Sequence, residues 1–358
     1  MSVNPLDQLH RNAGARFSAG GPQVPAHYGD WAAEYATARE RAGLTDRSWR
    51  GLIEITGKDR AAWLHNLVTN EVKNLRPGEG NYAFAVNVKG RTLFDANVLV
   101  GADLIWLDFD SRYREKIIPH LDRYVITEDV AVRDRTAEFA RLAVFGPAIR
   151  DVAARVGPAN AIAMAQLQHA PVAFAGIAGT AIRHDFAGLP GLEYLIPATG
   201  AAGAWHALRE TLSACGGGPV GHLAVRTLRM EAGIPEFGED IDEETIPPET
   251  GQIERGISYH KGCYLGQEVI ERMRSHHVLP RRLVGLRLDA PCDAPARLLV
   301  EGNEVGRVTS ACHSPRLGGP LGMGYVRTAL AKIGQRLAVQ CPAASGTARI
   351  IPWPAEGR

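Results

Sequence analysis

Chemistry is most legible in this chain at Cys263, within the string Lys261-Gly262-Cys263-Tyr264-Leu265-Gly266-Gln267-Glu268. The cysteine follows a glycine and precedes residues 265–273, whose apolar spacing predicts a helix. A thiol at a helix N-terminus feels the positive end of the dipole and N–H groups that lack partners. Its thiolate fraction rises, and the thiolate is the form that attacks electrophiles or binds metals. Lys261, Arg272 and Arg274 add to this if they face the sulfur. The competing reading is a small cysteine buried in a turn, inert and chosen for its size.

Two other clusters are weaker. His276-His277 stands among Arg272, Arg274, Arg281 and Arg282. A metal needs more ligands than that at defined geometry. A basic surface that attracts an anionic partner is the plainer reading. The acids from Glu239 to Glu244 lack the glycine and the ligand spacing of a calcium loop and read as a solvated turn. No metal site is expected.

Elements that position these residues follow from periodicity. Residues 11–29 read as an extended lead-in, and 31–42 as a helix stopped by Gly43 in a left-handed cap. Strands are expected at 51–56, 81–88, 92–100, 104–109 and 130–133, with helices at 58–66 and 112–124 and a turn at Lys89-Gly90. The pattern restarts with strands at 139–145, 172–185 and 193–196 and helices at 148–156, 201–214 and 221–232. Residues 233–258 read as a long ordered loop. After Pro280, short apolar segments punctuated by Gly, Pro and Asn suggest a small β-barrel. Mixed short strands and helices without strict alternation define the α+β class.

Composition narrows the function classes. The chain has 358 residues, 45% of them hydrophobic, which suffices for two or three cores. Forty basic against 39 acidic residues leave a formal charge of +1, and duplex nucleic-acid binding usually needs a basic excess. No apolar run reaches the length of a membrane span, and residues 1–10 lack the pattern of a secretory signal. Cys215, Cys263, Cys292, Cys312 and Cys341 are scattered and never form a CxxC pair. Neither a disulfide framework nor a zinc site is expected, and a cytoplasmic location fits best.

The string at 261–268 resembles the signature of the YgfZ family, Lys-Gly-Cys-aromatic-any-Gly-Gln-Glu, at all its fixed positions. Residues 226–235, 238–251, 305–310 and Ser314-Pro315 are similar to the same stretches of glycine-cleavage aminomethyltransferases, which lack the cysteine. The resemblance covers roughly residues 30–345. It implies a three-domain cloverleaf with a central hole for tetrahydrofolate: 1–50 with 138–250 as a discontinuous folate-binding domain, 51–137 as a second domain, 251–279 as signature segment and linker, and 280–358 as the barrel. Iron–sulfur client or assembly proteins are the implied partners, and Cys263, with Lys261, is the implied reactive site.

The resemblance also nominates the ligand contacts. Glu193 matches a pterin-binding glutamate; a carboxylate can accept both the amino group and the ring N–H of a pterin. Arg226 matches a pocket arginine and Tyr82 a pocket tyrosine. Asp95 aligns with one member of an Asp-Asp pair that assists one-carbon transfer, and Phe94 replaces the other. That loss argues against full aminomethyl transfer. Two alternatives stay open beside a folate-dependent iron–sulfur accessory protein. One is a genuine folate-dependent methyl- or aminomethyltransferase, and the other is a module that holds folate only as a structural ligand. The chemistry of Cys263 stays open between nucleophile, transient ligand and redox contact.

Overall fold

The computed structural model describes residues 4–18, 24–158, 160–276, 279–341 and 345–355, so His277 lies outside the described residues. Two open sheets and a closed barrel carry the chain. The first sheet has six strands in the order His169–Phe174, Ile177–Arg183, Gly191–Pro197, Phe139–Phe145, Gly43–Asp46, Gly218–Pro219. The second has five, in the order Gly80–Val86, Thr92–Val100, Leu104–Asp110, Arg50–Thr56, Ala131–Asp134. The barrel closes in the order Arg281–Leu288, Gly319–Arg327, Asn303–Ser314, Ala296–Val300, Arg336–Gln340, Ser345–Ile351. Nearly all pairing is antiparallel, and the α+β class with a small C-terminal barrel is the observed one. Among the described residues no helix is long and apolar enough to cross a membrane.

The chain passes from the first sheet to the second within a few residues. Strand Gly43–Asp46 belongs to one and Arg50–Thr56 to the other, so Arg47, Ser48 and Trp49 bridge the gap between them. A buried ion network fixes that junction. The Arg141 guanidinium, from the first sheet, reaches Glu193 in its own sheet at 3.1 Å and Asp108 in the second at 2.7 Å. Arg50 donates to Asp108 at 2.8 Å from the other side. Asp108 and Glu193 are both fully buried.

Several expectations need correction. Gly43 is not a left-handed cap: Arg41 ends the helix Trp31–Glu40, and Gly43 opens a strand. A Cβ there would stand 2.7 Å from Val220 Cγ2, so close packing is what selects glycine. The lead-in contains a helix, Asp7–Asn12, and a two-strand ribbon of Arg16–Phe17 with Pro25–His27. Loop 233–258 includes the short helices Pro247–Thr250 and Ile253–Gly256.

The acidic run is not a solvated turn. Asp240 is buried, takes Arg229 on one oxygen, and accepts from Thr309 and Ser310 of the barrel on the other. Glu239 pairs with Arg226 and Arg229, and Asp242 with Arg307. These acids lock the helix His222–Glu231 to the barrel. Their basic partners come from other elements, so spacing within the run could not reveal them.

Candidate functional site

A cleft opens where the two sheets meet the helix His222–Glu231. Its walls include Arg47, Trp49 and Arg50 of the crossover, Tyr82, Asp95 and Asn97 of the second sheet, and Phe186, His222, Arg226, Phe237 and Arg255. Strand geometry explains the contribution of the second sheet. Successive side chains alternate between faces, so Asp95 and Asn97 share one face of Thr92–Val100. The antiparallel register sets Tyr82 opposite Asn97 and Phe84 opposite Asp95, which brings Tyr82 onto that face.

The Tyr82 hydroxyl donates to Asp95 Oδ2 at 2.7 Å. Burial raises the Asp95 carboxyl above the usual carboxylate range, although Arg50 and the tyrosine pull it back. Burial and Asp95 hold the Tyr82 phenol well above its ordinary value, so it stays a donor. Asp95 Oδ1 has no hydrogen-bond partner among the described residues and is a free acceptor on the cleft. Arg255 lies 4.1 Å over the Tyr82 ring and gives its Nε–H to Gln252. Among the described residues no carboxylate forms an ion pair with Arg255. No motif pointed to it in the sequence, because it enters the cleft from the short helix Ile253–Gly256, inside a stretch read as loop.

Arg226 lines the cleft, and its guanidinium is engaged by Glu239 and by the carbonyl of Ala311, 2.9 Å away in the barrel. Glu193 stands elsewhere. It is fully buried behind the wall, with His184 Nδ1 at 2.6 Å on Oε1 and Arg141 at 3.1 Å on Oε2. Arg47 adds a second guanidinium at 3.5 Å. Burial pushes this carboxyl up, but Arg47, His184 and Arg141 outweigh it and hold it well below the usual range. Each oxygen already takes one donor, and Glu193 is not among the residues that line the cleft. Asp95, by contrast, lines the cleft and keeps one carboxylate oxygen open.

The signature segment lies apart from the cleft lining. Cys263 is exposed, and the helix behind it begins only at Gln267, after a turn at Gly266 with φ of 78°. The thiol is therefore several residues outside the helix, and the dipole argument for it fails, because that field falls off within about one turn. Lys261 does not face the sulfur. Its ammonium is buried and donates to the carbonyls of His65, Val68 and Asn70. Burial pushes it down to about 8, opposed by Glu71, so it stays protonated at neutral pH and three donors meet three acceptors. Lys261 is thus a clamp that fastens the signature to the segment after helix Arg60–His65. Arg272 and Arg274 pair within their own helix, with Glu268 and Glu271. Lys261→Met should strand three carbonyls and destabilise the protein by about 2–4 kcal/mol, at 1–3 kcal/mol for each buried group left unpaired and with partial relaxation. Urea unfolding checks this; an unchanged midpoint would remove the clamp.

Two sheets joined by a buried ion network and followed by a C-terminal barrel have counterparts among known proteins. Residues 6–259 match the GCVT N-terminal domain, and residues 281–355 match the glycine cleavage T-protein C-terminal barrel domain. The chain is 31% identical to a probable aminomethyltransferase of Halobacterium salinarum, over 95% of this chain and 94% of that one. It is 30% identical to the aminomethyltransferase of Geobacillus kaustophilus, over 98% and 97%. The crystal structure of glycine cleavage system aminomethyltransferase T from Bartonella henselae superposes with a TM-score of 0.86 at 25% identity, covering 98% of this chain and 97% of that one. The chain belongs to the aminomethyltransferase (glycine cleavage T-protein) superfamily. The signature at 261–268 falls in the interval between the two matched domains.

Proposed function

We propose that this protein binds a reduced folate, tetrahydrofolate or a one-carbon derivative, in the central cleft, and that it serves as a YgfZ-type accessory to iron–sulfur proteins through Cys263. The observation that carries the folate reading is the convergence of Tyr82, Asp95 and Arg255 on one cleft. The residues present fit the ligand. Trp49, Tyr82, Phe186 and Phe237 offer aromatic faces to a flat ring. Asp95 Oδ1 offers an acceptor to the donor edge of a pterin. Arg255 offers a cation to an anionic tail.

Within that site, Tyr82 orients Asp95, and Asp95 is the group able to hold or move a proton, because its carboxyl sits above the ordinary range. The ligand would supply the one-carbon unit or its acceptor nitrogen. The accessory role rests on the exposure of Cys263 and on the Lys261 clamp, which presents the cysteine away from the cleft without using it for packing. Cys263→Ser should therefore keep both the melting temperature and the folate affinity of the wild type, yet fail to restore iron–sulfur enzyme activity in cells lacking the endogenous protein. Full rescue by the serine variant would end the accessory reading.

A second reading, folate-dependent aminomethyl or methyl transfer, is favoured by the relatives' names and by the poised carboxyl of Asp95. It requires turnover. If purified protein consumes methylenetetrahydrofolate with an amine acceptor, and Asp95→Asn abolishes this, the transferase reading replaces the accessory one.

A further inference from the structure

Cys292 and Cys341 are 49 positions apart in sequence, yet their sulfurs stand 2.8 Å apart. Cys292 lies in the segment that leads into strand Ala296–Val300, and Cys341 directly follows strand Arg336–Gln340. These strands are neighbours in the barrel, and Arg297 pairs with Gln340 in their register. Barrel closure therefore brings the two thiols together. Both are half-buried, and neither contributes to the central cleft. Cys341 opens onto a surface groove with Arg297, Arg307 and Gln340, and Cys292 lines an adjoining groove with Arg226 and Asp242. A reagent in solvent thus reaches the pair from either side.

We propose that Cys292 and Cys341 form a redox-responsive dithiol that exchanges with small disulfides of the glutathione class and closes into an intramolecular disulfide across the barrel strands. The thiolate of Cys341 attacks one sulfur of the small disulfide, forms a mixed disulfide and releases one small thiolate. Cys292 then loses its proton to solvent and attacks the Cys341 sulfur, and the second small thiolate leaves. Two protein thiols are oxidised and one small disulfide is reduced to two thiols, so atoms and electrons balance. Burial and the neighbouring Cys341 push the Cys292 thiol up to about 12. Cys341 opens onto the groove that holds Arg297 and Arg307, where the small disulfide docks, and is the first attacker. The resolving sulfur is already within reach, so the mixed disulfide is short-lived.

The test is equilibration of the full-length protein with reduced and oxidised glutathione, followed by peptide mapping by mass spectrometry and by thermal unfolding. Expected is a Cys292–Cys341 cross-link with two equivalents of small thiol released, no persistent glutathione adduct at either position, and an upper melting transition raised by several degrees, because the closed loop constrains the unfolded chain. The Cys292→Ser variant should instead trap a stable glutathione adduct at Cys341. Cys263→Ser serves as the background that removes the exposed thiol from the count. The proposal fails if the wild type carries a lasting adduct at Cys341, or if the pair stays reduced in a buffer that modifies Cys263.

Discussion

Glu193→Ala should lower the stability of this protein by about 3–5 kcal/mol, the usual cost of removing one partner from a buried ion network. The substitution leaves Arg47, Arg141 and His184 around an empty site, with Asp108 as the nearest remaining buried acid in the network. The network also ties the two sheets together, so the loss reaches both. The pH dependence has a definite sign. The folded carboxyl is held well below its ordinary value, so its contribution is complete above the unfolded value of about 4.3 and is lost as pH falls through the folded one. Wild-type stability should decline on the acid side, and the variant should show a shallower decline from a lower plateau. Urea midpoints across pH 3 to 7 measure both effects, in a range set by the ordinary carboxylate pKa of about 4. A variant that unfolds like the wild type but no longer binds folate would return Glu193 to the pterin.

The largest binding effect is expected at Asp95. A hydrogen bond to a charged group contributes about 1.5–3 kcal/mol, so Asp95→Asn should weaken a reduced folate roughly 10- to 150-fold, at about 1.4 kcal/mol per decade. Tyr82→Phe removes only the group that orients the carboxylate and should cost less. Burial raises the Asp95 carboxyl, so wild-type affinity should fall with decreasing pH at a point above the ordinary carboxylate range. The asparagine variant should lack that inflection. Equal pH profiles for the two proteins would show that Asp95 does not titrate in the complex.

What could be read from the sequence depended on how local its cause was. The hairpin of Gly80–Val86 and Thr92–Val100, turned at Gly90 with φ of 71°, was legible because period-two alternation and one glycine specify it. Five of the six barrel strands were legible as short apolar segments set off by Gly, Pro and Asn, and Ser345–Ile351 was not. The start of the helix after Cys263 was misread because Leu265 is apolar and extends the helical pattern, whereas Gly266 takes a left-handed turn. Glu193 was matched to a ligand role by its motif, but its actual partners Arg47 and Arg141 come from distant strands. Lys261 looked like a reactive neighbour of the cysteine, and only the fold reveals the three carbonyls that absorb its protons. Residues whose role is set by nearest neighbours in the chain are readable, and those set by tertiary partners are not.

Calorimetric titration of tetrahydrofolate into the wild type, Asp95→Asn and Cys263→Ser, at one pH and salt concentration, decides whether the cleft is a folate site built on Asp95. Expected are saturable binding by the wild type, the same affinity for the cysteine variant, and a loss of at least about tenfold for the asparagine variant, matching one charged hydrogen bond. Absence of binding by the folded wild type, or undiminished affinity in folded Asp95→Asn, would contradict that reading.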